Sequence, residues 1–381
     1  MVAMQKTTTT NITTLLRRTA RPFRLTSWAF TTAAALASLS TAFAQSSYFV
    51  TELPVPAGYE SSAPYQINDQ GFVAGTSSRG SEQVATIWKG GTAKVLGKLD
   101  KGTYSIASAI NSSGVVAGEG DDGDGRPLGW VTSSGKLVNF FSNNGGNTRP
   151  LAITDAGVIG GCYIKGFDSQ WRGGIWKIDA KDARKSTLIT LPILPGGDPT
   201  TASAISFAFN KSLEAAGWAS NSQIGQHAAF WKNDATHSIV DLGVYENDWS
   251  SLANSLNDLG QVVGSSHPPF GSRPVLWQND AAHTAVALPM LPGDNYGDAQ
   301  LINSSGTVVG WSAVSEPGTW NVGPSRFVLW TGGVPYELQS LLAPSSADWT
   351  INSVMSINNL GQMAALATRN GVMRAVVLNP L

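Results

Sequence analysis

The residue types that most often carry out chemistry are few in this chain and widely spaced. None of its four histidines belongs to an H-E-x-x-H or other metal-binding spacing; they are His227, His237, His267 and His283. The G-x-S-x-G motif of serine hydrolases, the P-loop and the Ser-x-Asp-x-Gly-x-Thr-Trp box of sialidase propellers are all missing. The sequence therefore identifies no catalytic residue, although carboxylates from different loops could still meet in the fold.

One acidic cluster stands out, at residues 119–125 (EGDDGDG). Alternating acids and glycines can surround Ca²⁺ with the hard oxygen ligands that it prefers. The segment lacks the EF-hand spacing with its terminal Glu, so a solvated loop is the alternative that we favour. We expect no other metal or cofactor site.

The first 44 residues differ in composition from the rest of the chain. No acidic residue precedes Glu52, and five basic residues are followed by an uncharged stretch, 25–44, that ends in Ala-Phe-Ala. This order is typical of a secretory signal peptide cleaved before Gln45, and the stretch is too rich in Ser and Thr for a membrane span. A twin-arginine signal and a mitochondrial transit peptide are the alternatives. We expect an exported protein, extracellular or periplasmic, with mature residues 45–381.

The mature chain is acidic and carries a single thiol. Five of the 25 basic residues lie before residue 45, which leaves 20 basic residues against 26 acidic ones, a balance of −6. This excess argues against nucleic acid and against anionic membrane surfaces as partners. The single cysteine, Cys162, could join two chains, but we favour a small packed residue beside Gly161 and a monomeric protein.

The strongest pattern in the sequence is a nine-residue phrase that occurs seven times. Its copies are INDQGFVAG (67–75), INSSGVVAG (110–118), ITDAGVIGG (153–161), FNKSLEAAG (209–217), LNDLGQVVG (256–264), INSSGTVVG (302–310) and INNLGQMAA (357–365). Asn and Gly three residues apart suit a tight turn, because Asn bonds the local backbone and Gly accepts unusual backbone angles. Each phrase therefore predicts a β-hairpin. The signature residues of these turns are Asn68, Gly71, Asn111, Gly114, Gly157, Asn257, Gly260, Asn303, Gly306, Asn358 and Gly361.

A second signal follows each phrase, an apolar run that ends in Trp in six of the seven copies. These tryptophans are Trp88, Trp130, Trp176, Trp231, Trp277 and Trp330, and the seventh copy has Leu378 instead. Turn residues and a further short strand come next. One repeat therefore predicts a four-stranded antiparallel meander. We expect the six tryptophans to lie in the core and not in ligand sites.

The spacing of the repeats predicts the architecture. Successive turn residues lie 43 to 56 residues apart, which fits the four-stranded blade of a β-propeller. Seven blades lie within the usual range for propellers, so we predict an all-β, seven-bladed propeller spanning 45–381 as one domain, with a β-solenoid as the alternative. The last repeat stops after its third strand. The segment Tyr48–Pro54 is placed to supply the missing fourth strand, so that the N- and C-terminal strands close the ring.

The phrase and the apolar run ending in Trp resemble the bacterial HAF repeat, a family of extracellular repeats named for a His-Ala-Phe tripeptide. The resemblance covers roughly 60–380, and the nearest copy of the tripeptide is HAAFW at 227–231. Other repeats lack the histidine, with Arg273 and Arg326 at or near its place, so the chain resembles a divergent member. The resemblance implies export and a propeller-like fold, and it implies no catalytic residues.

The long connections between strands are where a rigid scaffold usually binds its ligand. Because the chain reverses at every strand, the loop between strands 2 and 3 and the link to the next blade should share one face. Four tryptophans outside the signature lie in these connections: Trp171, Trp249, Trp320 and Trp349. We expect an exported scaffold that binds an unknown glycan or protein through them. The alternatives are a polysaccharide-acting enzyme with carboxylates of raised pKa in the central channel, and a purely structural cell-surface protein.

Overall fold

The computed structural model describes residues 47–123, 125, 127–140, 147–166, 170–179, 182–196, 204–221 and 225–381. The predicted signal peptide, at 1–44, lies outside these residues. The described part consists of β-strands with three short 3₁₀ helices, at Ala183–Lys185, Leu338–Leu341 and Pro344–Ser346. None of its helices has the length and apolar character needed to cross a membrane.

The chain begins with β1 (Tyr48–Glu52) and then forms successive four-stranded units, which we call blades. Blade 1 contains β2 (Ser61–Ile67), β3 (Val73–Arg79), β4 (Glu82–Lys89) and β5 (Thr92–Gly97). Blade 2 contains β6 (Ser105–Ile110), β7 (Val116–Asp121), β8 (Pro127–Ser133) and β9 (Lys136–Asn139). Blade 3 contains β10 (Thr148–Ile153), β11 (Val158–Ile164), β12 (Trp171–Lys177) and β13 (Thr187–Thr190).

The second half of the chain repeats this plan. Blade 4 contains β14 (Ala204–Phe209), β15 (Ala215–Asn221), β16 (Gly225–Trp231) and β17 (Ile239–Gly243). Blade 5 contains β18 (Ser250–Leu256), β19 (Val262–His267), β20 (Arg273–Trp277) and β21 (Ala285–Ala287). Blade 6 contains β22 (Tyr296–Ile302), β23 (Val308–Ala313), β24 (Arg326–Thr331) and β25 (Val334–Glu337). Blade 7 contains β26 (Thr350–Ile357), β27 (Met363–Arg369), β28 (Val372–Pro380) and β1.

Within each blade, neighbouring strands are antiparallel and follow chain order, as the meander predicted. In the part of the chain that the structure describes, this gives seven four-stranded sets. Blades 3 and 4 are joined by one parallel pair, Arg172 with Ala204. The predicted all-β propeller of four-stranded antiparallel blades is confirmed.

The asparagine of the repeat phrase closes the turn between strands 1 and 2. In blade 5, Asn257 Oδ1 accepts hydrogen bonds from the backbone N–H groups of Leu259 and Gln261, both at 3.0 Å. The N–H of Gly260 donates to the Asn257 carbonyl at 3.1 Å, and Gly260 has a φ of 72° that residues with a Cβ rarely adopt. The tight turn predicted from the Asn and Gly of the phrase is therefore present in the structure.

The same asparagine also connects neighbouring blades. Its Nδ2 donates to the backbone carbonyl of the corresponding turn residue in the next blade, at 2.8 to 3.2 Å. The bonds run from Asn68 to Asn111, Asn111 to Thr154, Asn210 to Asn257, Asn257 to Asn303, Asn303 to Asn358, and Asn358 to Asn68. Thr154 has no amide to donate, so the series is interrupted between blades 3 and 4. The last bond connects the final repeat to the first.

The glycine that ends the phrase in six of the seven copies lies opposite a bulge in strand 1. In blade 5 the pairing of β18 with β19 shifts between Ala253 and Ser255, which is the register change of a β-bulge. A Cβ added to Gly264 would lie 1.9 Å from the carbonyl oxygen of Leu252. The equivalent glycines are equally crowded by strand 1; they are Gly75, Gly118, Gly161, Gly217 and Gly310.

The six signature tryptophans are buried, as predicted, and each is at most 1% exposed. Four of them also bind the preceding blade, because their indole Nε1 donates to a backbone carbonyl there. The acceptors of Trp88, Trp231, Trp277 and Trp330 are the carbonyls of Pro54, Pro192, Leu242 and Pro289, at 2.6 to 3.0 Å. The core therefore lies within and between the blades.

The N-terminal strand pairs with the C-terminal strand, as expected from the missing fourth strand of the last repeat. β1 runs antiparallel to β28, from Tyr48 opposite Pro380 to Glu52 opposite Val376. Pro54 after β1 accepts the bond from Trp88 just as Pro289 accepts the bond from Trp330. In the sequence, Leu53-Pro54 lies 15 residues before Asn68, and Leu288-Pro289 lies 15 residues before Asn303. The two Leu-Pro pairs therefore occupy equivalent structural positions.

Cys162 is buried within β11, beside Gly161. Burial raises the pKa of its thiol to about 12. The side chain is therefore a protonated, inaccessible thiol at neutral pH, which agrees with the packed residue that we favoured.

Candidate functional site

The connections between strands 2 and 3 lie at the same end of the blades as the links that enter strand 1. We call this end the loop face; its described segments include 245–249, 268–272 and 314–325. The backbone N–H of Trp249 donates to the carbonyl of His267 at 2.8 Å, which places the link residue beside the last residue of strand 2. The opposite end carries the tight turns, and we call it the turn face.

Trp320 stands at the tip of a well-connected hairpin on the loop face. The hairpin is closed by bonds from the N–H of Glu316 to Asn321 and from the N–H of Gly323 to Val314. At its base, the side-chain amide of Asn295 donates to the carbonyl of Ser315 at 2.9 Å and accepts from its N–H at 2.6 Å. The hairpin is thereby fixed before any ligand arrives.

Trp320 extends across to the neighbouring blade. Its ring lies 5.5 Å from that of Phe270, in the strand 2–3 loop of blade 5. Despite this contact, Trp320 is 66% exposed and Phe270 is 48% exposed. Trp249, in the link before blade 5, is 71% exposed. Large exposed aromatic side chains of this kind are typical of contact surfaces.

The other two predicted tryptophans are covered. Trp171 is half-buried as the first residue of β12, and the guanidinium of Arg149 lies 4.9 Å from the centre of its ring. Trp349 is only 3% exposed and packs in a core cluster shared by blades 6 and 7. The expectation that Trp349 emerges from the loop face is therefore wrong. The two 3₁₀ helices that precede it fold the link back, with the N–H of Trp349 bonded to Ser346.

The acidic segment 119–125 is partly integrated into the blade. Asp121 accepts hydrogen bonds from the N–H of Thr103 at 2.5 Å, from its hydroxyl at 2.9 Å and from the N–H of Tyr104 at 3.0 Å. Burial opposes its ionisation, but these bonds outweigh burial and lower the pKa of its carboxyl. Among the described residues no group of three or more side chains is placed to hold a metal ion. Asp124 lies outside those residues, so a calcium site here stays a prediction.

The turn face carries a charged cluster that sequence reasoning did not single out. The residue after the first turn position, which is Asn in six repeats and Thr154 in one, is acidic in three repeats and basic in one, and these four side chains line a central cavity. Lys211 Nζ lies 3.0 Å from Asp69 Oδ2 and 3.4 Å from Asp258 Oδ2. Together with Asp155 they line a cavity of about 190 Å³ at the centre of the ring. The sequence could have indicated this cluster through the charge of the residue that follows the first turn position in each repeat.

Two carboxyls of this cluster, Asp69 and Asp155, have lowered pKa values. Burial opposes ionisation of Asp69, but hydrogen bonds from Asn359 and Lys211 outweigh it and lower the pKa. The hydroxyl and N–H of Ser112 lower the pKa of Asp155. Because both pKa values are depressed by folding, their stabilising effect is present above the unfolded pKa and is lost as the pH falls through the folded pKa. A general acid needs the opposite shift, so this cluster does not have the property that the enzyme alternative requires.

Two other carboxyls do have raised pKa values, but they belong to different blade contacts. Burial raises the pKa of Glu119, although its ion pair with Arg149, at 3.3 Å, opposes the shift. Burial raises the pKa of Asp298 to about 6, against the hydrogen bonds from Ser265 and Asn254. Glu119 lies between blades 2 and 3, Asp298 between blades 5 and 6, and no described contact joins them. A pair of cooperating carboxyls is therefore not formed by these two.

These features define a β-propeller with an aromatic loop face, and solved structures agree on the fold. The β-propeller domain of the Trilobed protease from Pyrococcus furiosus is 12% identical, with a TM-score of 0.50 over 84% of this chain and 95% of that one. YCF48, solved bound to D1 peptide, is 12% identical, with a TM-score of 0.52 over 88% of this chain and 96% of that one. At such low identity the likeness shows the fold alone. No protein-family model matches the sequence, and no curated protein matches it.

Proposed function

We propose that this protein is an exported binding scaffold, extracellular or periplasmic, that holds a glycan or protein ligand on its loop face. The observation that carries the proposal is the exposure of Trp249 and Trp320 on fixed backbone supports. The basic, acid-free N-terminal sequence supports export, and the repeat phrase supports a divergent member of the HAF-repeat family.

The energetics favour a binding role for these side chains. An exposed indole buries roughly 150–250 Å² when it is covered, and each Å² of apolar surface removed from water contributes about 25 cal/mol. Two such rings would supply several kcal/mol in total. Because the Trp320 hairpin is already ordered by Asn295, little further conformational entropy is lost on binding.

The fold is suited to such a role, and the alternatives have less support. YCF48, with the same fold, was solved with a peptide bound. The polysaccharide-acting enzyme would need converging carboxyls of raised pKa, whereas the pKa values of Asp69 and Asp155 at the central cavity are lowered. The purely structural alternative does not explain why the indoles of Trp249 and Trp320 are exposed to water.

The proposal is tested by removing the two exposed indoles together. We expect the Trp249→Ala/Trp320→Ala variant to lose at least about tenfold in retention on immobilised cell-surface glycan and protein fractions. The matched control is Leu259→Ala/Leu360→Ala, because these leucines are 57% and 62% exposed but lie on the turn face. The control should bind like the unmodified protein, and thermal melting should show that both variants fold.

Two outcomes would contradict the proposal. One is retention of the tryptophan variant equal to that of the unmodified protein on every fraction that retains the latter. The other is failure of the unmodified protein to be retained on any fraction, which would favour the purely structural alternative.

A further inference from the structure

A second cavity lies on the turn face, between blades 1 and 2 and away from the loop face. Its volume is about 470 Å³, which is within the range of small-molecule sites. The floor is apolar and consists of Ile87 and Leu96 from blade 1 with Val115 and Val116 from blade 2. Side chains of this type favour a ligand with an aliphatic or aromatic body.

Two lysines, Lys89 and Lys94, stand at the edge of this floor. Lys89 ends β4, while Lys94 projects from β5 on the same side as Leu96, two residues further along. None of the residues that line the cavity is acidic. The site therefore combines an apolar surface with two positive charges.

These lysines differ in their ion pairing from two other basic residues of blade 1. Nearby in blade 1, Lys98 and Arg79 both pair with Glu82 at 3.0 Å. Neither Lys89 nor Lys94 forms an ion pair with any carboxylate that the structure describes. In a mature chain with an acidic excess, two unpaired cations beside one apolar cavity are complementary to an anion.

The ammonium of Lys89 is also held in position. It lies 4.5 Å from the centre of the Phe72 ring, a cation–π contact. A Cβ added to Gly114 would lie 2.5 Å from Lys89 Nζ, so the turn glycine of blade 2 leaves the space that the ammonium occupies. The hydroxyls of Thr92 and Ser134 lie at the same cavity and can bond further ligand oxygens.

We propose that this cavity binds a small amphiphilic carboxylate, with its apolar body on the floor and its carboxylate at Lys89 and Lys94. The site is separate from the loop face, so its test does not depend on the tryptophans. The carboxylate of the ligand would accept charge-assisted hydrogen bonds from two ammonium groups. The apolar body of the ligand would cover apolar protein surface that is now in contact with water.

The test uses octanoate as the probe, titrated calorimetrically into the purified protein, with 1-octanol as the uncharged comparison. We expect saturable binding of octanoate, at least about tenfold tighter than octanol, and weaker binding as salt is raised. The Lys89→Gln/Lys94→Gln variant should lose at least about tenfold in octanoate affinity and none in octanol affinity.

The matched control is Lys232→Gln. Lys232 follows Trp231 as Lys89 follows Trp88, so it has the same place in its repeat but lies in another blade. This variant should bind octanoate like the unmodified protein. Absence of saturable octanoate binding, equal affinity for octanol, or an equal loss in the Lys232 variant would each overturn the proposal. Binding of an acidic peptide without octanoate binding would also contradict it, and would indicate a protein-docking surface instead.

Discussion

At the scale of single residues, the turn asparagine performs two structural tasks. In blade 5, Asn257 Oδ1 closes its own turn, while Nδ2 donates to the carbonyl of Asn303 in the next blade at 3.0 Å. Replacing it leaves several buried backbone groups unsatisfied, and each such group costs about 1–3 kcal/mol. Thr154 shows a partial solution, since its hydroxyl accepts from the N–H of Val158 at 3.1 Å but it cannot donate an amide.

Alanine and threonine at position 257 should therefore destabilise the protein to different degrees. Asn257→Ala should lower the free energy of unfolding by about 3 kcal/mol, because both tasks are lost. Asn257→Thr should cost about half as much, because the turn bond can be kept while the bond between blades is lost. Chemical denaturation would measure both values. If the Thr variant is as unstable as the Ala variant, the hydroxyl does not replace Oδ1 in the turn.

The sequence predicted the turn that the asparagine closes, but it did not predict the bond that the asparagine forms with the next blade. Asn followed by Gly three residues later predicted the turn, because that chemistry is local. The bond to the next blade joins residues 43 to 55 positions apart along the chain, or 290 for Asn358 and Asn68, and spacing alone does not orient a side chain. The charged cluster around Lys211 was missed for the same reason.

At the scale of elements, the bulge in strand 1 and the glycine in strand 2 depend on each other. We predict that Gly264→Ala destabilises the protein by about 3 kcal/mol, because the added Cβ would collide with the Leu252 carbonyl. The matched control is Gly332→Ala, at a turn with a φ of 59° and no atom within 4 Å of an added Cβ. It should cost about 1 kcal/mol, from backbone strain alone. Equal melting temperatures for the two variants would show that crowding is not the reason for the glycine.

Blade 7 is the exception within the molecule, because it keeps the shift, between Val354 and Ser356, although it has no glycine there. Its residue at the glycine position is Ala365, and its first strand carries a second register shift, between Ile351 and Ser353. The repeat phrase predicted a strand ending in glycine, but it gave no sign of the bulge. The burial of Trp349 was missed similarly, because nothing local in 338–349 indicated the 3₁₀ helices that fold the link back.

At the scale of the whole molecule, the repeat count and the placement of the chain ends were accessible from sequence. Seven phrases predicted seven blades, and the missing fourth strand of the last repeat predicted a partner for β1. The ligand was not accessible, because the exposed aromatics lie in irregular connections whose sequences do not repeat. The loop face can act as one rigid surface only if the N- and C-terminal strands pair and close the ring of blades.

The most direct test of this account is therefore whether the two ends of the chain meet in one sheet. Phe49 of β1 faces Asn379 of β28, and facing residues of antiparallel strands lie about 4.5–5.5 Å apart, within reach of a disulfide. Under mild oxidation the Phe49→Cys/Asn379→Cys variant should form an intramolecular disulfide, seen as a loss of two free thiols in the monomer, and its melting temperature should rise. The Phe49→Cys single variant should show neither change. Two thiols that stay free and reactive in the folded double variant would contradict the closed ring.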